Sequence, residues 1–190
     1  MVSRVAIFSS GNGSNFEAIV KEWQAGNIKN MAIDLLLSDK ADAYVLKRAE
    51  KYNIEKAVLT QKNFSDKASY EKEILKLLIE KNIDFIVLAG YMRLIGETIL
   101  NSYEGKIINI HPSILPAFKG KDAIQMALDY GVKYTGVSIH WVDRGMDTGK
   151  IIAQEVVAVE DNDNYESLAK KIHKIEHNLY PKVINELLNK

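Results

Sequence analysis

Short apolar runs rich in β-branched and aromatic residues alternate along this chain with longer stretches whose apolar positions recur every three or four residues. The short runs predict strands near 3–8, 31–37, 57–59, 84–89, 106–110, 134–142 and 151–158. The longer stretches predict helices near 14–26, 41–52, 67–81, 94–102 and 121–130, with a terminal helix near 164–188. In that last segment Leu168, Ile172, Ile175, Leu179, Val183, Ile184 and Leu187 form one apolar stripe suited to packing. Such alternation predicts an α/β fold with helices flanking a mainly parallel, twisted sheet. No helical pattern separates the runs at 134–142 and 151–158, so an antiparallel edge is expected there, turning at Asp143 to Gly149.

A length of 190 residues suits one domain, and no repeat, linker or low-complexity tract divides it. Lys+Arg and Asp+Glu both number 25, so no net field recruits nucleic acid or an anionic membrane, and small-molecule chemistry fits better. With no cysteine, disulfides, zinc-thiolate sites and a thiol nucleophile are excluded. The chain enters Val5-Ala6-Ile7-Phe8 almost at once, with no cleavable leader pattern, and no apolar run approaches membrane-spanning length. A cytoplasmic protein is expected.

Candidate chemistry concentrates at four places. At Asn109-Ile110-His111-Pro112, residues i and i+2 of an extended segment point to one side, and the residue before proline is pushed out of the helical region. An amide and a titratable base then face one spot, unless loop backbone merely satisfies both. At Gly11-Asn12-Gly13-Ser14-Asn15 a glycine turn opens a helix, where free amides and the helix dipole favour a phosphate. Phe16 stands where the dinucleotide fingerprint needs glycine, and the Lys-Ser/Thr ending of a P-loop is missing, which argues against NAD and ATP. A plain turn capped by Ser14 or Asn15 is the alternative.

Leu88-Ala89-Gly90-Tyr91-Met92-Arg93-Leu94 is an apolar strand that breaks at glycine, at the sheet end where α/β folds hold ligands. A flat apolar ligand with polar edges would suit it, or else Met92 and Leu94 are core and Arg93 is solvated. Ser138 and His140 alternate onto one face, and Asp147 lies in a glycine-flanked loop able to fold back and favour an imidazolium at His111. His173 and His177 have metal-ligand spacing but lack a partner cluster, so no metal is expected.

In their joint order and spacing, Gly13-Ser14-Asn15, Ala89 to Arg93, Asn109-x-His111-Pro112-Ser113 and Asp147-Thr148-Gly149 resemble the phosphoribosylglycinamide formyltransferase family of folate-dependent enzymes. The resemblance runs essentially end to end. It implies a single-domain, Rossmann-like formyltransferase fold over 1–190, with a phosphate-binding N-terminal part and a C-terminal part that is folate-binding and catalytic. It also implies formyl transfer from 10-formyltetrahydrofolate, consumed as a cosubstrate, to the amine of glycinamide ribonucleotide, with no metal, in a monomer or homodimer. Under it Asn109, His111 and Asp147 are catalytic; Gly13, Ser14 and Asn15 hold the substrate phosphate; Glu176 meets the ribose. Lys67, Met92, Arg93, Leu94, Ile95 and Asn109 would contact folate, Lys67 standing where relatives often carry arginine, so that a bidentate contact would be altered. Methionyl-tRNA formyltransferase and formyltetrahydrofolate deformylase share the Asn-x-His element but carry an extra domain that is not expected to fit in this chain. A nonenzymatic nucleotide-binding module would keep the phosphate turn and have no need of the trio.

Overall fold

Val5 and Ile7 pack on one side of the sheet and Ala6 and Phe8 on the other, all four fully buried. A strand covered on both faces reads as an unbroken apolar run, which is why this one shows no polar alternation. The structure is a computed structural model and describes residues 1–189. In chain order the elements are β1 (Ser3–Phe8), α1 (Ser14–Gln24), β2 (Met31–Ser38), α2 (Val45–Lys51), β3 (Lys56–Val58), α3 (Lys67–Glu80), β4 (Phe85–Leu88), α4 (Glu97–Leu100), β5 (Ile107–His111), α5 (Ala123–Tyr130), β6 (Tyr134–Trp141), β7 (Ile151–Ala158) and α6 (Tyr165–Leu188).

The seven strands lie in the order β3-β2-β1-β4-β5-β6-β7. The first five are mutually parallel, and β6 and β7 add the expected antiparallel edge. One layer, from α1, α2, α5 and α6, packs Phe16, Ile19, Leu46, Ile124 and Ile172 against Val5 and Ile7. The opposite layer, from α3 and α4, packs Ile74, Leu78 and Ile99 against Ala6 and Phe8. Each such side chain taken from water contributes about 1.5–3 kcal/mol. The strand order reverses between β1 and β4, and a crevice at the carboxyl ends of strands is where open α/β sheets hold ligands.

Two helices are shorter than the periodicity predicts. The 41–52 segment becomes helical only at Val45, whose N–H bonds the Gly11 carbonyl at 3.1 Å, so the chain is first drawn onto the β1–α1 turn. The 94–102 segment keeps one turn, because the Gly96 N–H is held at 2.7 Å by the Glu71 carboxylate while Gly96 itself is extended. The long α6 matches its stripe, and its start is fixed by a reciprocal cap: Asn164 accepts from the Ser167 N–H while the Ser167 hydroxyl accepts from the Asn164 N–H. Among the described residues no helix is long and apolar enough to cross a membrane.

Candidate active site

β5 delivers Asn109 and His111 at its carboxyl end, and Pro112 stops it there. In the antiparallel ladder Asn109 faces His140 and His111 faces Ser138. The β6–β7 loop then returns over this edge. Asp143 organises it by accepting from the Gly145 N–H at 3.0 Å and the Thr148 hydroxyl at 2.6 Å. A Cβ on Gly149 would lie 1.7 Å from the Trp141 carbonyl oxygen, so only glycine lets the loop close this tightly. Asp147 sits at the apex with a φ of 52°, a left-handed conformation that costs a non-glycine residue energy and recurs at functional sites.

The three candidate catalytic residues meet. Asp147 Oδ2 lies 3.4 Å from His111 Nδ1, and Asp147 Oδ1 lies 3.5 Å from Asn109 Nδ2. The Asp147 and His111 side chains are 11% and 6% exposed, so their charges interact with little water between them. The Gly120 N–H donates to Asp147 Oδ2 at 2.8 Å, tying the 112–120 segment to the loop. Burial alone would raise the Asp147 carboxyl, but hydrogen bonds from His140 and Gly120 and the charges of His111 and His140 outweigh it and hold the group below its usual value. His111 Nε2 is engaged separately, 2.8 Å from the Phe118 carbonyl oxygen. Acceptor-only atoms thus face both ring nitrogens. Ser138, expected beside His140, is fully engaged elsewhere: it accepts from Leu115 N–H and Gln154 and donates to the Ser113 carbonyl.

The glycine turn at 11–15 follows β1, at the strand-order reversal. Gly13 has a φ of 77°, and a Cβ there would fall 2.3 Å from Val45 Cγ2. Neither Ser14 nor Asn15 caps α1: the capping position is Gly13, with no side-chain cap, so the first amides stay open to a ligand. Asn15 instead donates to Glu176 Oε2 at 3.0 Å, and His173 Nδ1 donates to the same oxygen at 2.8 Å. Glu176 is buried, so α6 contributes a carboxylate to this end of the crevice. His173 and His177 stack with ring centroids 6.2 Å apart, and one His173 nitrogen is occupied by Glu176.

The 91–96 segment is anchored from both sides. Ser10 Oγ accepts from the Met92 N–H at 2.9 Å, Tyr70 and Tyr91 share a hydroxyl bond of 2.8 Å, and Glu71 holds Gly96. The anchored segment leaves Met92 60% and Leu94 45% exposed, so neither is core, while Ile95 is buried. Arg93 turns away from the trio to Asp39, 2.7 Å from its carboxylate, and to Gln61. A cavity of about 260 Å³ beside this segment is lined by Lys67 and by Met92 to Ile95, the folate candidates other than Asn109. None of the trio lines it. Exposed apolar side chains over fixed backbone polar groups fit a flat heteroaromatic ring with polar edges. Lys67 begins α3 and points back to Glu71 at 3.7 Å.

Two contributors carry no local sequence signal. The buried Tyr180 of α6 directs its hydroxyl to the carbonyl oxygens of Leu88, at 2.9 Å, and Ile108, at 3.2 Å, bridging β4 and β5 directly below the site. Burial pushes its phenol well above the ordinary value. Phe118, whose backbone has a positive φ of 52°, offers His111 a carbonyl. The Lys67–Glu71 spacing of one helical turn was the one visible hint of the Glu71 anchor.

Comparison with known proteins adds a family to this geometry. Residues 3–184 match the model of a family described as formyl transferase. The chain is 48% identical over 187 residues to a Bacillus subtilis protein named phosphoribosylglycinamide formyltransferase, covering 98% of this chain and 95% of that one. It is 36% identical to the human trifunctional purine biosynthetic protein adenosine-3, matching 94% of this chain and 18% of the longer protein. Among solved structures it superposes on phosphoribosylglycinamide formyltransferase from Bacillus halodurans with a TM-score of 0.96 at 51% identity, covering 99% and 96% of the two chains.

Proposed function

The chain belongs to the formyl transferase family, and from that premise we propose how its residues divide the work of the reaction. The reaction is transfer of the formyl group of 10-formyltetrahydrofolate to the amine of N1-(5-phospho-D-ribosyl)glycinamide, a step of purine biosynthesis. The observation that carries the assignment of residues is the convergence of Asn109 and His111 on Asp147 at 3.4–3.5 Å, from three different points of the chain.

When bound, the folate cosubstrate supplies the formyl carbon and an amine leaving group, and it requires no metal partner from the protein. Met92, Leu94 and Ile95 would hold its ring, with Lys67 and Arg93 at the margin of the cavity. Gly13, Ser14 and Asn15 take the phosphate of the ribonucleotide and Glu176 its ribose. Fixing the remote end of the substrate brings its amine next to the reacting carbon as a neighbour.

As the substrate nitrogen bonds to that carbon, charge collects on the carbonyl oxygen. Asn109 Nδ2 and His111 Nδ1 are the donors available to it, because His111 Nε2 is committed to Phe118. Their long contacts with Asp147 suit donors that tighten only around a transition state. Asp147 accepts the proton that the attacking nitrogen sheds, directly or through water. Asp147 returns that proton by the same route to the departing nitrogen as its bond to carbon breaks and the carbonyl re-forms, so the proton count closes.

In this reading the whole chain, 1–190, works as one domain in the cytoplasm, as a monomer or homodimer. The test is the absorbance change of the folate on mixing 10-formyltetrahydrofolate and glycinamide ribonucleotide with wild-type protein and with His111→Ala. Wild-type turnover, largely lost in a folded His111→Ala protein with ribonucleotide binding retained, supports the reading. Near-normal turnover of that variant sinks the role of His111.

A further inference from the structure

We propose that Arg48 of α2 is a positioning residue for substrate binding: it grips Asn12 and thereby aims the amides of the phosphate turn into the site. The inference rests on the phosphate reading of that turn and names the residue that sets its geometry.

Arg48 donates through Nε to the Asn12 carbonyl at 2.9 Å and through Nη2 to the Asn12 side-chain oxygen at 2.8 Å. One residue earlier, the Val45 N–H holds the Gly11 carbonyl at 3.1 Å. In a trans peptide the C=O and the N–H that follows it point in opposite directions. Drawing the Gly11 and Asn12 carbonyls toward α2 therefore turns the Asn12 and Gly13 amides away from it. Among the described residues neither amide has an acceptor within the protein. Successive amides turned one way around a left-handed residue form an anion-binding concavity, and Gly13 supplies the left-handed residue.

Arg48 is in turn fixed by Glu17 of α1, which it meets through Nη1. Glu17 also accepts from the Tyr52 hydroxyl at 2.8 Å and from Lys51 at 3.2 Å. Burial raises the Glu17 carboxyl, but these hydrogen bonds and the charges of Arg48 and Lys21 bring it down to about 2, so the anchor is ionised at neutral pH. A planar fork reaches three acceptors spread around its edges, which the compact ammonium of lysine, three donors at one point, cannot span.

The experiment measures steady-state formyl transfer by wild type, Arg48→Ala and Arg48→Lys, together with inhibition by inorganic phosphate and thermal unfolding of each. In Arg48→Ala, KM for the ribonucleotide and the inhibition constant of phosphate should both rise about ten- to a hundredfold, the scale of charge-assisted hydrogen bonds. Saturated kcat and KM for the folate should stay within about twofold, since the trio and the 91–96 segment are untouched. Arg48→Lys should recover only part of the loss. Unchanged ribonucleotide KM in folded Arg48→Ala overturns the proposal, as does equal loss of folate affinity. If Arg48→Ala does not fold, Arg48→Lys decides in the same way: a selective rise in ribonucleotide KM supports the proposal, and an unchanged or unselective one defeats it. Wild type that does not use the ribonucleotide would instead remove the functional reading beneath it.

Discussion

Asn109 and His140 stand directly opposite each other across the β5–β6 ladder, and their side chains meet at 3.3 Å. His140 Nδ1 faces the Trp141 carbonyl at 2.8 Å, and its Nε2 lies between the Asn109 amide at 3.3 Å and Asp147 Oδ1 at 3.5 Å. The Asp147 carboxylate can only accept, so it is Nδ2 of Asn109 that turns toward both side chains. His140→Phe keeps an aromatic ring and removes both ring nitrogens, so kcat should fall about tenfold while both KM values hold. Steady-state kinetics check this, and an unchanged kcat would mean that Asn109 is oriented by Asp147 alone.

Asp147→Asn keeps the shape of the loop and removes the charge that favours an imidazolium at His111. Turnover at neutral pH should drop by about ten- to ten-thousandfold, the range of general acid–base contributions. A pH–rate profile superimposable on that of wild type would return Asp147 to the rank of a turn residue. Stability carries a second signature. The folded value of Asp147 lies below 3.8, so its contribution is present above pH 3.8 and lost as pH falls through the folded value. The acid limb of unfolding should therefore be flatter in the variant.

A Cβ on Gly96 would lie 2.6 Å from both Glu71 carboxylate oxygens, so glycine is what allows the carboxylate to reach the backbone. Gly96→Ala should cost about 1–3 kcal/mol of stability through overpacking. The displaced 91–96 segment should raise KM for the folate and leave the ribonucleotide site alone. Denaturant unfolding and separate KM measurements test the pair of effects; a stable variant with normal folate KM would show that the segment is held well enough by Ser10 and Tyr70.

His173 titrates above its usual 6.5 because it donates to Glu176, against a smaller opposing effect of burial. A raised folded value adds stability that is complete below pH 6.5 and lost as pH rises through the folded value. His173→Gln should therefore narrow the difference in melting temperature between mildly acidic and mildly alkaline buffer. The same difference in both proteins would mean that the His173–Glu176 bond adds nothing beyond its neutral form.

Residue order alone determined the alternation of strands and helices, the antiparallel edge and the pairing of Asn109 with His111, because these depend on local periodicity, on the two-residue repeat of a strand and on Pro112; Asp147 joined that pair only through the family resemblance. Composition alone excluded thiol chemistry. Tertiary structure decided where the long-range partners fall. Val45 reaches Gly11 and so delays α2; Glu71 holds Gly96 and so shortens α4. Arg93 is drawn to Asp39, a buried carboxylate that only packing brings near it. Tyr180 looks like one more member of an amphipathic stripe until it is placed beneath β4 and β5, where its hydroxyl joins two strand ends. Periodicity records which face of an element is buried. It does not record which unpaired backbone group that face will meet, and those groups are what hold Asn109, His111 and Asp147 within reach of one another.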